Sequence, residues 1–321
     1  MADIKIFISN RIDINSTQIN NSLYVPVRCG AVYDKRKNIS ILGDNTGDNI
    51  SAKRNSFCEF TVQYWAWKNI DADYYGLCHY RRFLTFSKKI FKSNNQKQIM
   101  EYFLDKNAIQ KYDLLNEKGM RKCIEKNDVI VNEIADVKYI PTPKGFINTV
   151  YEHWSAHDGM FINKNVLPIL LKTIRQLCPE YFQAANEYLN GKWHRGYNCY
   201  VMKKVYFQRM NEFQFTILFD LEKKLKNSKY LDGLERTMGY LGEILYGIYI
   251  HYLLTKKDVK IVEKQLVYFN QTEVPKNMVK KYLQKILIFF KINFENIGFI
   301  LLPKASKRRK IIKKIYFKLM K

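Results

Sequence analysis

Short apolar runs punctuate the chain at 4–8, 73–79, 128–131, 198–202 and 259–269, and the stretches between them carry apolar residues at helical spacing. A brief apolar run without polar alternation reads as a strand covered on both faces. Helices fit at 56–69, 96–106, 115–126, 145–156, 164–177, 180–190, 204–226 and 233–252, the first opened by the capping-box pattern Ser56-x-x-Glu59. Strands alternating with helices predict an α/β architecture around one sheet. From residue 9 to about 52 the chain reads as loop. Its GDNTGDN segment at 43–49 resembles a calcium loop only superficially, since glycine stands fourth rather than sixth.

Composition narrows the class. With 321 residues, 47% of them hydrophobic and 26% charged, the chain can bury a large core, which excludes global disorder. No run of about 18 apolar residues occurs; the nearest approach, 286–302, is interrupted by Lys291, Asn293, Glu295 and Asn296. The N-terminal Met1-Ala2-Asp3 gives no basic and apolar leader, so no secretory signal is expected. Six cysteines lie at least 20 residues apart and form no CxxC pair, which fits small buried hydrophobes in a reducing cytosol.

The net charge of +24 is unevenly placed. From 276 to 321 there are 14 basic residues and one acidic residue, Glu295, which puts +13 there and +11 on the other 275 residues. Apolar residues interleave with these lysines: Ile286 to Phe290, then Ile311, Ile312, Ile315, Tyr316 and Leu319. That pattern is a basic amphipathic helix suited to an anionic bilayer interface; a solvated basic tail is the plainer reading. Nucleic acid is not expected as a partner, because Lys307-Arg308-Arg309-Lys310 is a patch without a reading module.

Several motifs cluster between 43 and 86: Gly47-Asp48-Asn49-Ile50-Ser51, Cys58-Glu59, Tyr64-Trp65-Ala66-Trp67-Lys68-Asn69 and Gly76-Leu77-x-His79-Tyr80-Arg81-Arg82. Val25-Pro26-Val27, Gly30-Ala31, Thr149-Val150-Tyr151-Glu152, His157, Tyr197-Asn198, Val201 to Lys204, Arg236-x-x-Gly239 and Glu243 extend the pattern. In these residues the chain resembles a bacterial family, long known only as a domain of unknown function, found in capsular and lipopolysaccharide gene clusters. The resemblance covers about residues 4 to 269. It implies a GT-A-like (Rossmann-like) nucleotide-sugar-binding domain with a mixed central sheet at 1–270, followed by the basic amphipathic, membrane-associating tail at 271–321. It further implies transfer of a sugar, galactose or galactofuranose among the options, from a donor that family precedent makes UDP-linked. The acceptor would be a lipid-linked glycan in capsule or O-antigen synthesis, and the location cytoplasmic, peripheral to the inner face of the plasma membrane.

Such a transfer needs the diphosphate leaving group neutralised, the sugar held and an acceptor hydroxyl deprotonated. GT-A enzymes usually end a central strand in Asp-x-Asp around a divalent cation; here the strand ending at Cys78 delivers His79-Tyr80-Arg81-Arg82. Two permanently charged guanidiniums can replace the cation's charge, which leaves Mn or Mg an open option with His79 and Asp48 as ligands. Donor binding is therefore expected at Asp48, Asn49, Ser51, His79, Arg81, Arg82 and Arg236, and acceptor binding at His157 and Asn198. Glu243, in an otherwise apolar helix, and Asp158 are the candidate catalytic carboxylates. Each has a plainer reading: a strand end for the arginines, a helix cap for Glu59, a turn for 48–51, surface positions for His153 and His157, and a Glu–Arg network for Glu243. A non-enzymatic protein binding nucleic acid or an acidic polymer, and an inactive glycosyltransferase-like scaffold, are the alternatives in function.

Overall fold

Side chains along the central strands alternate strictly between two cores, so both faces of the sheet are covered. Ile4, Ile6, Ile8, Tyr74, Cys78, Ile130 and Val201 enter one core. Phe7, Tyr75, Leu77, Val129, Val131, Tyr200 and Met202 enter the other. The computed structural model describes residues 1–293 together with Arg308, Ile311, Ile312 and Ile315.

The elements run β1 (Ile4–Arg11), β2 (Tyr24–Cys29), β3 (Leu42–Gly43), α1 (Arg54–Phe57), α2 (Phe60–Asn69), β4 (Tyr74–His79), β5 (Arg82–Leu84) and β6 (Gln98–Phe103). Next come α3 (Lys106–Lys111), α4 (Glu117–Glu125), β7 (Val129–Asn132), β8 (Ala135–Asp136), α5 (Val150–Ser155), α6 (Val166–Leu177) and α7 (Phe182–Asn190). The chain continues through β9 (Trp193–His194), β10 (Tyr200–Lys203), α8 (Lys204–Leu225), α9 (Thr237–Leu254), β11 (Ile261–Lys264), β12 (Leu266–Gln271) and α10 (Met278–Asn293). The main sheet has the order β11-β7-β10-β4-β1-β2-β3, and β5, β12 and β6 branch from β4. It is a mixed α/β sheet: β1 pairs parallel with β2 and β4, whereas β10 runs antiparallel to both β4 and β7.

The reversed strand β10 positions the site. Because β10 runs opposite to β4, the residues leading into it stand at the same sheet edge where β1 and β4 end. The chain leaves β1 towards β2 on one side and returns to β4 on the other, which makes this edge the switch point where α/β sheets open a crevice.

Four local expectations are corrected. Segment 96–106 is not a helix: 98–103 pairs with β12, and α3 follows. The strand expected at 259–269 is two strands, because the chain leaves β7 at Lys264 and joins β5 and β6 from Leu266. The loop expected before residue 52 contains β2, masked by Pro26; β3 pairs only with Val27 and Arg28, so the proline takes no partner on that side. The helix at 56–69 breaks at Cys58, whose φ is 53°, and Glu59 caps nothing with its side chain.

Helix α10 opens the basic tail and returns to the domain, burying Gln284 and Ile288. Lys281 pairs with Asp105 at 3.1 Å and Lys291 donates to Asn270 at 2.8 Å. Apart from Arg308, Ile311, Ile312 and Ile315, which are helical and exposed, the tail after Asn293 lies outside the described residues.

Candidate active site

Strand β4 ends at His79, the chain turns at Tyr80-Arg81, and Arg82 starts β5 opposite His79. The turn aims two guanidiniums out of the sheet edge. Arg81 lies 5.0 Å from the Tyr80 ring and 5.6 Å from Tyr268; Arg82 lies 4.8 Å from Tyr197 and 5.3 Å from Tyr268. The Nε of each is buried without a hydrogen-bond partner among the described residues. Arg236, just before α9, donates from Nε to Cys58 Sγ at 3.2 Å and covers Tyr240 at 5.5 Å. Arg11 closes β1, paired with Asp13. Burial first, then the charges of Arg82, Arg81, Arg236 and Arg11, hold His79 well below the usual histidine range. The ring is therefore neutral at pH 7, and its Nδ1 accepts the Arg81 N–H at 3.4 Å. The proton is then left on Nε2, a neutral donor in the field of four cations.

The opposite wall is acidic. Entering β10, Gly196-Tyr197-Asn198 turns with φ of 78° at Tyr197 and 43° at Asn198, two consecutive left-handed conformations on side-chain-bearing residues. Such strain persists only where surrounding contacts hold it. Here the Tyr197 N–H donates to Glu243 Oε2 at 3.4 Å, and Asn198 Nδ2 donates to Glu59 Oε1 at 3.2 Å. One turn thus carries two carboxylates that lie 184 positions apart in sequence. Gly196 permits the approach, since a Cβ there would stand 2.9 Å from His194 Nε2 and 3.4 Å from Glu243 Oε2. Gly242 lets α9 close on Phe60, whose ring would lie 2.3 Å from a Cβ. Burial, then the charge of Glu59, pushes the Glu243 carboxyl up to about 7, against the pull of Arg82, the Tyr197 N–H and Arg236. A carboxyl poised there can accept a proton near neutrality.

The sequence-predicted residues divide accordingly. His79, Arg81, Arg82, Arg236, Asn198 and Glu243 converge at this edge. Asp48, Asn49 and Ser51 are occupied in their own loop: Asp48 accepts from Tyr64 Oη at 3.1 Å, Asn49 donates to Gly47, and buried Ser51 bonds to Asp44. Asp44 in turn accepts the N–H groups of Gly30 and Ala31 at 2.9 Å each, fixing the end of β2. Asp158 is exposed, and its carboxylate accepts from the Lys164 N–H at 3.0 Å. His153 and His157 are not surface residues, as expected, but buried. His157 bonds through Nδ1 to the His153 carbonyl and stacks on Phe161, which stacks on Tyr240 at 4.7 Å. It therefore backs the Arg236 side of the site through two rings.

Glu59, Arg11 and Tyr268 were missed as site residues. The capping pattern hid Glu59, and nothing local marks a tyrosine on a terminal strand as a seat for two arginines. Beside Arg11 a polar recess of about 280 Å³ opens, lined by Asn10, Arg11, Asn15, Arg28, Arg36 and Ser40 among others.

Four guanidiniums around His79 do not suit a divalent cation, and Asp48, the ligand expected beside it, faces Tyr64 instead. Among the described residues no three His, Cys, Asp or Glu side chains gather as a metal site.

The profile of a family described as Domain of unknown function (DUF4422) matches residues 5–257. Among solved structures, the chain is similar to the apo WbbM bifunctional glycosyltransferase, with a TM-score of 0.74 and 28% identity over 84% of this chain and 45% of that one. It is also 26% identical over 168 residues to the mitochondrial tRNA-specific 2-thiouridylase 1 of Dictyostelium discoideum, covering 50% of this chain and 36% of that protein. The chain thus spans less than half the length of either relative. Tyr268 and Lys291 lie beyond the matched family segment.

Proposed function

The chain belongs to the DUF4422 family, and from that premise we propose that it is a glycosyltransferase using a nucleotide-sugar donor. One observation carries the reading: Arg81 and Arg82 adjoin a neutral His79 at the switch-point edge, where the charges of Arg236 and Arg11 also act on it, beside a carboxyl poised near neutrality. Fixed guanidiniums stabilise the charge that develops on a departing diphosphate, and the Nε2–H of His79 adds an uncharged donor. The nucleoside of the donor, uridine by preference, occupies the polar recess next to Arg11. Asp48, Asn49 and Ser51 serve the donor indirectly, by bracing Asp44 and the end of β2.

In the transfer, the acceptor hydroxyl oxygen forms a bond to the anomeric carbon while the bond from that carbon to the diphosphate oxygen breaks. The bonding pair leaves with the diphosphate, among the arginines, and the hydroxyl proton passes to Glu243. Glu59 keeps Glu243 basic enough for this, and Asn198 holds Glu59. His157, behind Phe161 and Tyr240, shapes the acceptor side without direct chemistry. The acceptor in this reading is a lipid-linked glycan of a capsule or O-antigen, and the sugar is a hexose such as galactose in pyranose or furanose form. The place of action is the cytoplasmic face of the plasma membrane.

Sulfur transfer of the kind named for the tRNA relative is not adopted. Burial pushes the thiols nearest the site up, to about 12 at Cys29 and Cys199 and about 11 at Cys58, so few thiolates form near pH 7.

A thermal-shift screen of nucleotide-sugars, paired with donor-hydrolysis assays, tests the reading. A UDP-sugar should raise the melting temperature of the wild type and not that of Arg81→Ala. Binding without turnover in any acceptor assay would indicate a scaffold. Failure of every nucleotide-sugar to shift the wild type would reject the proposal.

A further inference from the structure

Helix α10 packs on the domain through Gln284 and Ile288 but turns a second apolar face outward. Met278, Val279, Tyr282, Leu283, Ile286, Phe289 and Phe290 are between 37% and 75% exposed. At about 100° per residue these seven occupy an arc of about 140°, centred opposite the buried face. Lysines take the two flanks: Lys281 and Lys285 on one side, Lys280 and Lys291 on the other. Arg308, Ile311, Ile312 and Ile315 are likewise helical and exposed. The isoleucines repeat the i, i+1, i+4 spacing of Met278, Val279 and Tyr282.

An outward apolar stripe on an otherwise soluble-looking helix needs a cover, and the charge around it selects which. From 276 to 321 the chain carries 14 basic residues and one acidic one. That excess would repel a second copy of the same surface and attracts an anionic one. We propose that α10 is an interfacial helix that lays this stripe into the headgroup region of an anionic bilayer, drawn there by the basic excess of 276–321. It lies along the surface and does not cross, since no described helix is long and apolar enough to span a membrane.

The placement also ties the bilayer to the site. Lys291 stands 5.6 Å from the Tyr268 ring, the ring that seats both Arg81 and Arg82. The far end of the docking helix is therefore one side chain from the arginine pair. On the glycosyltransferase reading, this brings the site to the surface from which a lipid-linked acceptor would be offered. The docking itself does not depend on that reading.

Flotation of the full chain with vesicles tests it. Wild type should float with phosphatidylcholine–phosphatidylglycerol vesicles and bind pure phosphatidylcholine at least about tenfold more weakly. Leu283→Glu combined with Phe289→Glu should weaken binding to the mixed vesicles by about tenfold or more, with the melting temperature unchanged. Serine at both positions should act in the same direction without adding charge. Vesicle binding equal in wild type and both variants would overturn the proposal. So would a dimer, seen by light scattering, that the glutamate variant dissolves. Donor hydrolysis measured without vesicles should be the same in wild type and variants, so a failure of docking is distinguishable from a failure of the enzymatic reading.

Discussion

The two walls of the site hold charge in different ways. Beside His79, the guanidiniums of Arg81 and Arg82 lie over aromatic rings, and the buried Nε of each has no hydrogen-bond partner among the described residues. Across the crevice, Glu59 and Glu243 face each other, each held by one hydrogen bond from the strained Tyr197–Asn198 turn. Elsewhere the same chain pairs such groups readily, as at Arg28 with Asp34 or Lys203 with Asp128. On the proposed reading, the first wall is kept for an anion and the second for a proton.

Removing cations should separate function from stability most sharply. Arg81→Ala or Arg82→Ala should lower kcat/KM by on the order of 10²–10³-fold, while raising the melting temperature of the ligand-free protein by relieving repulsion. Lysine at either position should restore only part of the activity, because a point charge lacks the planar fork. A fall in melting temperature would show that these arginines hold the fold together instead.

On the acidic wall, Glu243→Gln should cost on the order of 10²–10⁴-fold in turnover. Its wild-type carboxyl sits at about 7 against an ordinary value of 4.5. The folded state therefore binds the proton more tightly than the unfolded chain. Stability from this group is full below pH 4.5 and is lost as pH rises to about 7. Relative to Glu243→Gln, wild type should lose roughly 3 kcal/mol across that window by urea unfolding. Its kcat/KM should rise over the same upper range as the base deprotonates.

Glu59→Gln should have a smaller effect, under about tenfold in rate by the scale of a single neighbouring charge, but a diagnostic one. The pH midpoint should move lower, because the charge that raises Glu243 is gone. An unmoved midpoint would return Glu59 to a structural part. Smallest of all, Asp158→Ala should leave turnover within about twofold and stability within about 0.5 kcal/mol, as expected of an exposed residue bonded only to its own turn.

Much of this was readable from local pattern. The covered strands, the helices at 164–177 and 204–226, and paired arginines at a strand end all follow from periodicity and from neighbours in sequence. Errors arose where long-range pairing overrode it. Gln98–Phe103 became a strand because β12 lies beside it, and Cys58 broke a helix whose cap looked complete. Glu59 shows the limit best: a capping pattern is a statement about four residues, whereas its partner Asn198 arrives from a turn 139 positions away.

Periods of 2 and 3.6, a run of cations and a basic, apolar-interleaved tail are properties of the chain's own geometry and composition, so the α/β layering, Arg81-Arg82 and the two-part charge could be read in advance. Which carboxylates oppose one another, that Tyr268 seats two arginines, and which face α10 turns outward depend on how closely elements pack across the fold. Gly242 against Phe60 and the reversed β10 set those distances, and only packing between distant segments could decide them.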